Sequence, residues 1–282
     1  MSQTVELHAQ QVAFWNGEGG ARWVEGQSRI DAVLAPLADA VVAHAAARPG
    51  ETVLDVGCGC GGTTLTLAAS VGATGRVTGL DVSVPMIEMA RSRATGIANI
   101  DWIVADAASY AFAPATVDLL FSRFGVMFFG DPAAAFANLR RALRPSGRLA
   151  FVCWRSLQEN PWWMVPLRAV TTHVPPPPRP GPEDPGPLSF ADPERVTRIL
   201  TQAGFAPPRL EKFDLDLRLG STLDEAVEGA LSFGPALRLL NDQPDHVRAA
   251  VVATLKEALK PHVTPAGVAL GGAVWLVGAT PV

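Results

Sequence analysis

The stretch VLDVGCGCGG at residues 53–62 decides the reading of this chain: an apolar run ends in Asp55 and passes into glycine at alternate positions, Gly57, Gly59 and Gly61. Residues 52–56 read as a short buried strand and 63–69 resume an apolar pattern suited to a helix, so the glycines mark a strand-to-helix turn. A doubly wound sheet binds nucleotide-like ligands at such a turn. Glycine has no Cβ, so its backbone can take positive φ and approach a ligand closely. The first turn of the following helix offers free N–H groups to an anion. Dinucleotide-binding folds use a related G-x-G-x-x-G turn, so the glycines alone leave the ligand open.

Downstream, RVTGL at 76–80 is a second strand closed by Asp81, residues 100–104 lead into Asp106, and VDLLF at 117–121 is a further strand. In a parallel sheet the strand C-termini share one edge, so Asp55, Asp81 and Asp106 are expected to line one crevice. Each also has an ordinary alternative as a helix N-cap or turn former.

At these residues the chain resembles the class I S-adenosylmethionine-dependent methyltransferases, in particular the small-molecule branch that includes the ubiquinone and menaquinone C-methyltransferases. The matching segments are VLDVGCGCGG, VTGLDVSVPMIEMARSRA, VADAASYAF, VDLLFSRFGVMFFGDPAAAFANLRRALRPSGRLAFVCW and NPWW. They cover residues 48–163 closely and the remainder loosely. The resemblance implies S-adenosylmethionine as cofactor, S-adenosylhomocysteine as product, and an α/β fold: a doubly wound, mostly parallel seven-stranded Rossmann-like sheet with helical cap insertions. It puts the methionine end of the cofactor over Asp55, Gly57, Cys58 and Gly59, with Gly61 in the same turn and Asp55 near the ammonium group. Asp81 then accepts both ribose hydroxyls beside Val82, Met86 packs on the adenine, Asp106 accepts the exocyclic amino group and Ala107 gives the ring a backbone N–H. Ser122 and Arg123 complete this set; Arg123 either orients an acidic acceptor or makes a structural salt bridge.

The chemistry asks for these residue types in its own right. A carboxylate can accept both O–H groups of a diol together, and an amino group needs an acceptor. A nicotinamide-dependent oxidoreductase also uses an acidic residue after its second strand; the acidic residue before the glycines and the D-V-S-x-x-M run favour the methyl donor. A cofactor-binding partner subunit without catalysis is a further alternative.

The chain of 282 residues is 48% hydrophobic, enough to bury a large core. One methyltransferase domain is expected: an N-terminal helical lid at 1–47, the cofactor-binding core at 48–155, a cap loop at 156–190, and a C-terminal half of the sheet at 191–282 with a helical insertion at about 222–262. A net charge of −4 without a basic cluster argues against nucleic-acid substrates. No apolar run is long enough to span a membrane, and MSQTVELHAQ lacks the basic start and apolar core of a secretory signal, so a cytoplasmic protein is expected. Three cysteines make no disulfide framework, and Cys58, Cys60 and Cys153 have no spacing that suits zinc. No metal is expected.

Residues 5–15 and 30–47 carry apolar side chains at helical spacing. Pro36 implies a kink, or a start near Ala35. Asp131-Pro132 and Asp192-Pro193 read as N-cap plus first helical position. Residues 174–187 are too proline-rich for helix or strand. Strands are expected at 209–219 and 274–278, with helices at 223–240 and 247–259 between them. Trp15, Trp23, Phe128, Trp162, Trp163 and Phe233 are the candidates for enclosing a planar or apolar small-molecule acceptor. Of five histidines, His8 and His173 are the candidate bases for an acceptor hydroxyl. The oligomeric state is not legible.

Overall fold

The computed structural model describes residues 3–176, 181, 183–232, 234–241 and 243–282. Two compact units emerge from its internal contacts: residues 1–154, 182–212 and 275–282 form one, and 155–181 with 213–274 form the other.

The first unit opens with helices α1 (Gln3–Asn16), α2 (Glu18–Glu25) and α3 (Gln27–Ala45). The apolar stripe of α3, Ile30, Val33, Leu34, Leu37 and Val41, is buried as its spacing predicts. The helix neither starts nor stops at Pro36: Ala32 and Pro36 lie on its exposed face, where the Ala32 carbonyl that the proline leaves without an N–H donor can be hydrated. Strand β1 (Thr52–Val56) and helix α4 (Gly62–Val71) flank the glycine turn, and β2 (Arg76–Asp81), α5 (Val84–Arg93), β3 (Ile100–Val104) and β4 (Val117–Arg123) follow. Helix α6 (Pro132–Ala142) is capped by the Asp131 carboxylate, which accepts the Ala134 N–H at 3.0 Å. It runs straight into β5 (Leu143–Trp154).

In the second unit, α7 (Pro161–Thr171) occupies part of the stretch expected to be a cap loop. Pro161 sits at its first position, where the missing N–H costs nothing, and the WWMVPL run supplies an apolar face. Asn160 is fully buried: its side-chain oxygen accepts from Ala273 N at 2.8 Å and its amide donates to Ala273 O at 3.0 Å, so the side chain pairs like a strand rung.

Helix α8 (Pro193–Gln202), capped by Asp192, returns to the first unit. Strand β6 (Arg209–Gly220) and, after the helices α9 (Leu223–Leu231), α10 (Gly234–Leu240) and α11 (Asp245–Leu259) and the short β7 (Val263–Thr264), strand β8 (Gly267–Ala279) each contribute residues to both units. Strand β8 is longer than the five residues expected from apolarity, because its glycine-rich first half breaks the apolar run although Val268 and Leu270 are buried in it. Helices α7, α10 and α11 share a cluster of Val170, Val174, Ala236, Leu240 and Val251.

The sheet order is β3-β2-β1-β4-β5-β8-β6, with β7 antiparallel on β8. The β1–β2, β2–β3, β1–β4 and β4–β5 pairs are parallel. The chain therefore winds outward from β1 in both directions, and the switch point lies between the C-terminal ends of β1 and β4. No helix among the described residues is long and apolar enough to cross a membrane.

Candidate functional site

At the switch point two backbone segments touch. Gly57, Gly59 and Gly61 have φ of +68°, +55° and +78°. A Cβ on Gly57 would lie 2.7 Å from the Gly125 Cα, so only a pair of glycines lets the loops after β1 and β4 pass this closely. Ser122 locks the crossing: its hydroxyl donates to Val56 O at 2.7 Å and accepts the Gly125 N–H at 3.2 Å. Between them Phe124 is held at φ +66°, a costly conformation for a bulky residue, and its ring stacks on Trp154 at 4.5 Å.

Gly59 and Gly61 serve different ends. Among the described residues a Cβ on Gly59 would meet Met86 Sδ at 3.7 Å and Trp23 Nε1 at 3.9 Å, ordinary contacts without a clash, so this face of the loop has room for a side chain. On Gly61 it would strike the Trp102 ring at 2.6 Å, which makes Gly61 a packing glycine between helix and sheet.

The three acidic residues sit at successive strand ends in three environments. Asp55 is fully buried: its Oδ2 accepts the hydroxyls of Thr63 and Thr64 at 2.9 and 2.7 Å, and its Oδ1 is buried with no hydrogen-bond partner among the described residues. Burial lifts its pKa to about 6. It thus offers no oxygen at the surface and acts by holding the first turn of α4 to the sheet. Asp81, buried at the end of β2, accepts the Gly59 N–H on Oδ2 and the Ser83 N–H on Oδ1, both at 2.8 Å. A carboxylate accepts at about four positions, so with backbone donors fixing it Asp81 keeps capacity to accept a hydroxyl group. Burial raises its pKa, opposed by the backbone donors. Asp106 accepts the Ala108 N–H at 2.9 Å and the Ser109 hydroxyl at 3.2 Å, and its Oδ2 lies 2.9 Å from His8 Nε2. Ala107 is buried and its carbonyl accepts the Asn138 amide.

The other candidates are equally distinct. Val82 O accepts the Asn16 amide at 3.0 Å, and Asn16 Oδ1 accepts the Val84 N–H at 3.1 Å, so α1 docks on the loop after β2. Of the alternatives for Arg123, the structure has the salt bridge: its guanidinium lies 3.6 Å from Asp31, which also pairs with Arg93 at 2.9 Å. The Asp31 carboxylate lies 3.2 Å from where a Cβ on Gly62 would stand, at the N-terminus of α4. The end of the helix dipole expected to face a ligand anion is therefore met by a side chain from α3. Cys58, Cys60 and Cys153 are free and buried, and burial pushes all three thiols up, Cys60 to about 11.

Trp15, Trp23 and Phe128 come together in the first unit, with ring centroids 6.0 Å apart for Trp15–Trp23 and 5.1 Å for Trp15–Phe128. All are half-buried, and Trp23 borders Gly59. Trp162 and Trp163 are on α7 in the second unit, 5.5 Å apart; Trp162 is buried, its ring against Gly272 of the same unit. Phe233 lies outside the described residues. His173 Nε2, just past the end of α7, is 2.7 Å from Thr254 Oγ1 of α11 in the second unit. Asn16, Asp31 and Asn160 were missed because a lone polar residue carries no periodic or motif signal. Gly125 had one, a glycine two residues past a strand.

These features define a class: a doubly wound α/β protein whose adjacent strand ends carry a glycine-rich turn and carboxylates at the switch point, where such sheets bind their ligands. The methyltransferase domain family matches residues 53–147. Nocamycin O-methyltransferase of Saccharothrix syringae is 33% identical over 229 residues, 76% of this chain and 80% of that one. Demethylmenaquinone methyltransferase of Staphylococcus aureus (strain MRSA252) is 33% identical over 111 residues, 39% of this chain and 45% of the other. The solved structure of the YcgJ protein from Bacillus subtilis, 17% identical, shares the fold with a TM-score of 0.55 over 86% of this chain and 97% of that one. The chain belongs to the S-adenosylmethionine-dependent methyltransferases. It spans about half the length of several of the curated relatives it matches.

Proposed function

We propose that this protein transfers the methyl group of S-adenosylmethionine to a small planar or apolar acceptor. The observation that carries the reading is the unclashed face of Gly59, bordered by Met86 and Trp23, with its N–H held by the Asp81 carboxylate. Asp81 would hold the ribose hydroxyls through its remaining lone pairs, Asp106 the adenine amino group, and Met86 would border the purine. When bound, the cofactor supplies a sulfonium methyl open to in-line displacement. The chain's own part is to orient the acceptor and keep water out. Trp15, Trp23 and Phe128 would do both, since edge-to-face rings present an apolar wall on which a flat acceptor packs. Both relatives named above are methyltransferases of small molecules by their names, which supports an acceptor of that size. No base is assigned: His8 Nε2 is committed to Asp106, and His173 to Thr254.

The test has two parts. Calorimetric titration should show binding of S-adenosylmethionine and S-adenosylhomocysteine and none of NAD. Release of S-adenosylhomocysteine with a panel of quinols and polyketide-type phenols should then identify acceptors whose kcat/KM falls about 5- to 150-fold in Trp15→Ala, as expected for an aromatic anchor worth about 1–3 kcal/mol. Binding of NAD in place of the sulfonium cofactor would overturn the reading.

A further inference from the structure

Helix α1 reaches the ligand edge at two levels. At its C-terminal end Asn16 bridges Val82 and Val84, and the Trp15 carbonyl accepts the Ser83 hydroxyl at 2.6 Å. Two turns earlier, His8 meets Asp106 across 98 positions of sequence. Asp106 stands on a short loop and its side chain is 25% exposed, so without partners its carboxylate would rotate. It has three donors: Ala108 N–H on Oδ1, and Ser109 Oγ and His8 Nε2 on Oδ2. A carboxylate accepts at about four positions, so one remains, on Oδ1. Because an ionised carboxylate only accepts, Nε2 of His8 must carry the proton in this contact.

We propose that His8 is a positioning residue for base recognition: from α1 it fixes the Asp106 carboxylate so that the vacant Oδ1 lone pair receives the exocyclic amino group of a purine. This rests on the S-adenosylmethionine reading above. A fixed acceptor rewards a 6-amino group and repels a 6-oxo group, whose oxygen would face it. A carboxylate free to turn does neither well. His8 therefore sets selectivity for adenine as well as affinity.

The test is calorimetric titration of the full chain with S-adenosylhomocysteine and with its 6-oxo counterpart, S-inosylhomocysteine. The wild type is expected to prefer the adenine compound by at least about tenfold, the worth of one charge-assisted hydrogen bond. His8→Phe, which keeps bulk and removes the donor, and His8→Ala should both bring that ratio towards one, mainly by weakening the adenine compound. His8→Gln, whose amide nitrogen reaches about as far as Nε2, should restore it. A purely structural role in docking α1 would weaken both ligands equally and leave the ratio unchanged, which overturns the proposal. So does tighter binding of S-adenosylhomocysteine by His8→Phe, which would make His8 an obstruction. If the wild type binds neither compound, the cofactor reading fails as well, and that outcome is distinct from an unchanged ratio.

Discussion

Asp55→Asn should change the pH dependence of stability in a direction and size that the geometry dictates. The carboxylate is fully buried, two threonine hydroxyls share Oδ2, and Oδ1 has no hydrogen-bond partner among the described residues. Burial raises its pKa from 3.8 to about 6. In the folded protein Asp55 therefore keeps a proton that the unfolded chain gives up between about pH 4 and 6. The stability tied to that proton is fully present below about pH 4 and is lost as pH rises through 6. At about 1.4 kcal/mol per pH unit the loss is about 3 kcal/mol. Asparagine stays neutral throughout: its oxygen accepts from the same threonines, while its NH2 lacks an acceptor at a cost of about 1–3 kcal/mol. The two effects oppose each other in absolute stability, so the decisive quantity is the difference between mutant and wild type as a function of pH. It should move by about 3 kcal/mol in favour of the mutant between pH 4 and 7.5. For a chain of this size that is a relative Tm change of about 6–12 °C by calorimetry. A difference that stays flat over this range would mean that Asp55 titrates normally, and the account of a buried, half-partnered carboxylate would be wrong.

Gly57→Ala and Gly59→Ala should differ although both carry positive φ. The first drives a Cβ to 2.7 Å from the Gly125 backbone and should cost about 2–4 kcal/mol of stability. The second meets only ordinary contacts with Met86 and Trp23 and should cost about 1 kcal/mol in urea unfolding while still weakening cofactor binding; equal stability losses would refute the crossing of loops as the reason for Gly57. Asp81→Ala should raise the Kd for S-adenosylmethionine about 10- to 100-fold, the range for losing charge-assisted hydrogen bonds, and should speed amide exchange at Gly59, which loses its acceptor. Unaltered affinity in a folded mutant would remove Asp81 from the cofactor site.

What the sequence determined by itself is local: glycines that need positive φ, apolar strands ending in carboxylates, and Asp-Pro pairs that cap α6 and α8. These properties are encoded within a few residues, because backbone sterics and side-chain period act over that range. The family resemblance added the cofactor, and the domain match and the nocamycin relative agree with it. Tertiary structure decided everything that depends on which distant side chains meet. Arg123 turned to Asp31 in α3, His8 to Asp106 and Asn160 to Ala273, pairs separated by 92, 98 and 113 positions that no periodicity links. It also separated residues of one motif. A side chain on Gly59 would only touch Met86 and Trp23 while one on Gly61 would strike Trp102, and Asp55 takes threonine hydroxyls while Asp81 takes the backbone N–H groups of Gly59 and Ser83. Spacing assigns such residues to the same turn or the same sheet edge, but burial and hydrogen-bond partners assign their chemistry, and those exist only once the chain has folded.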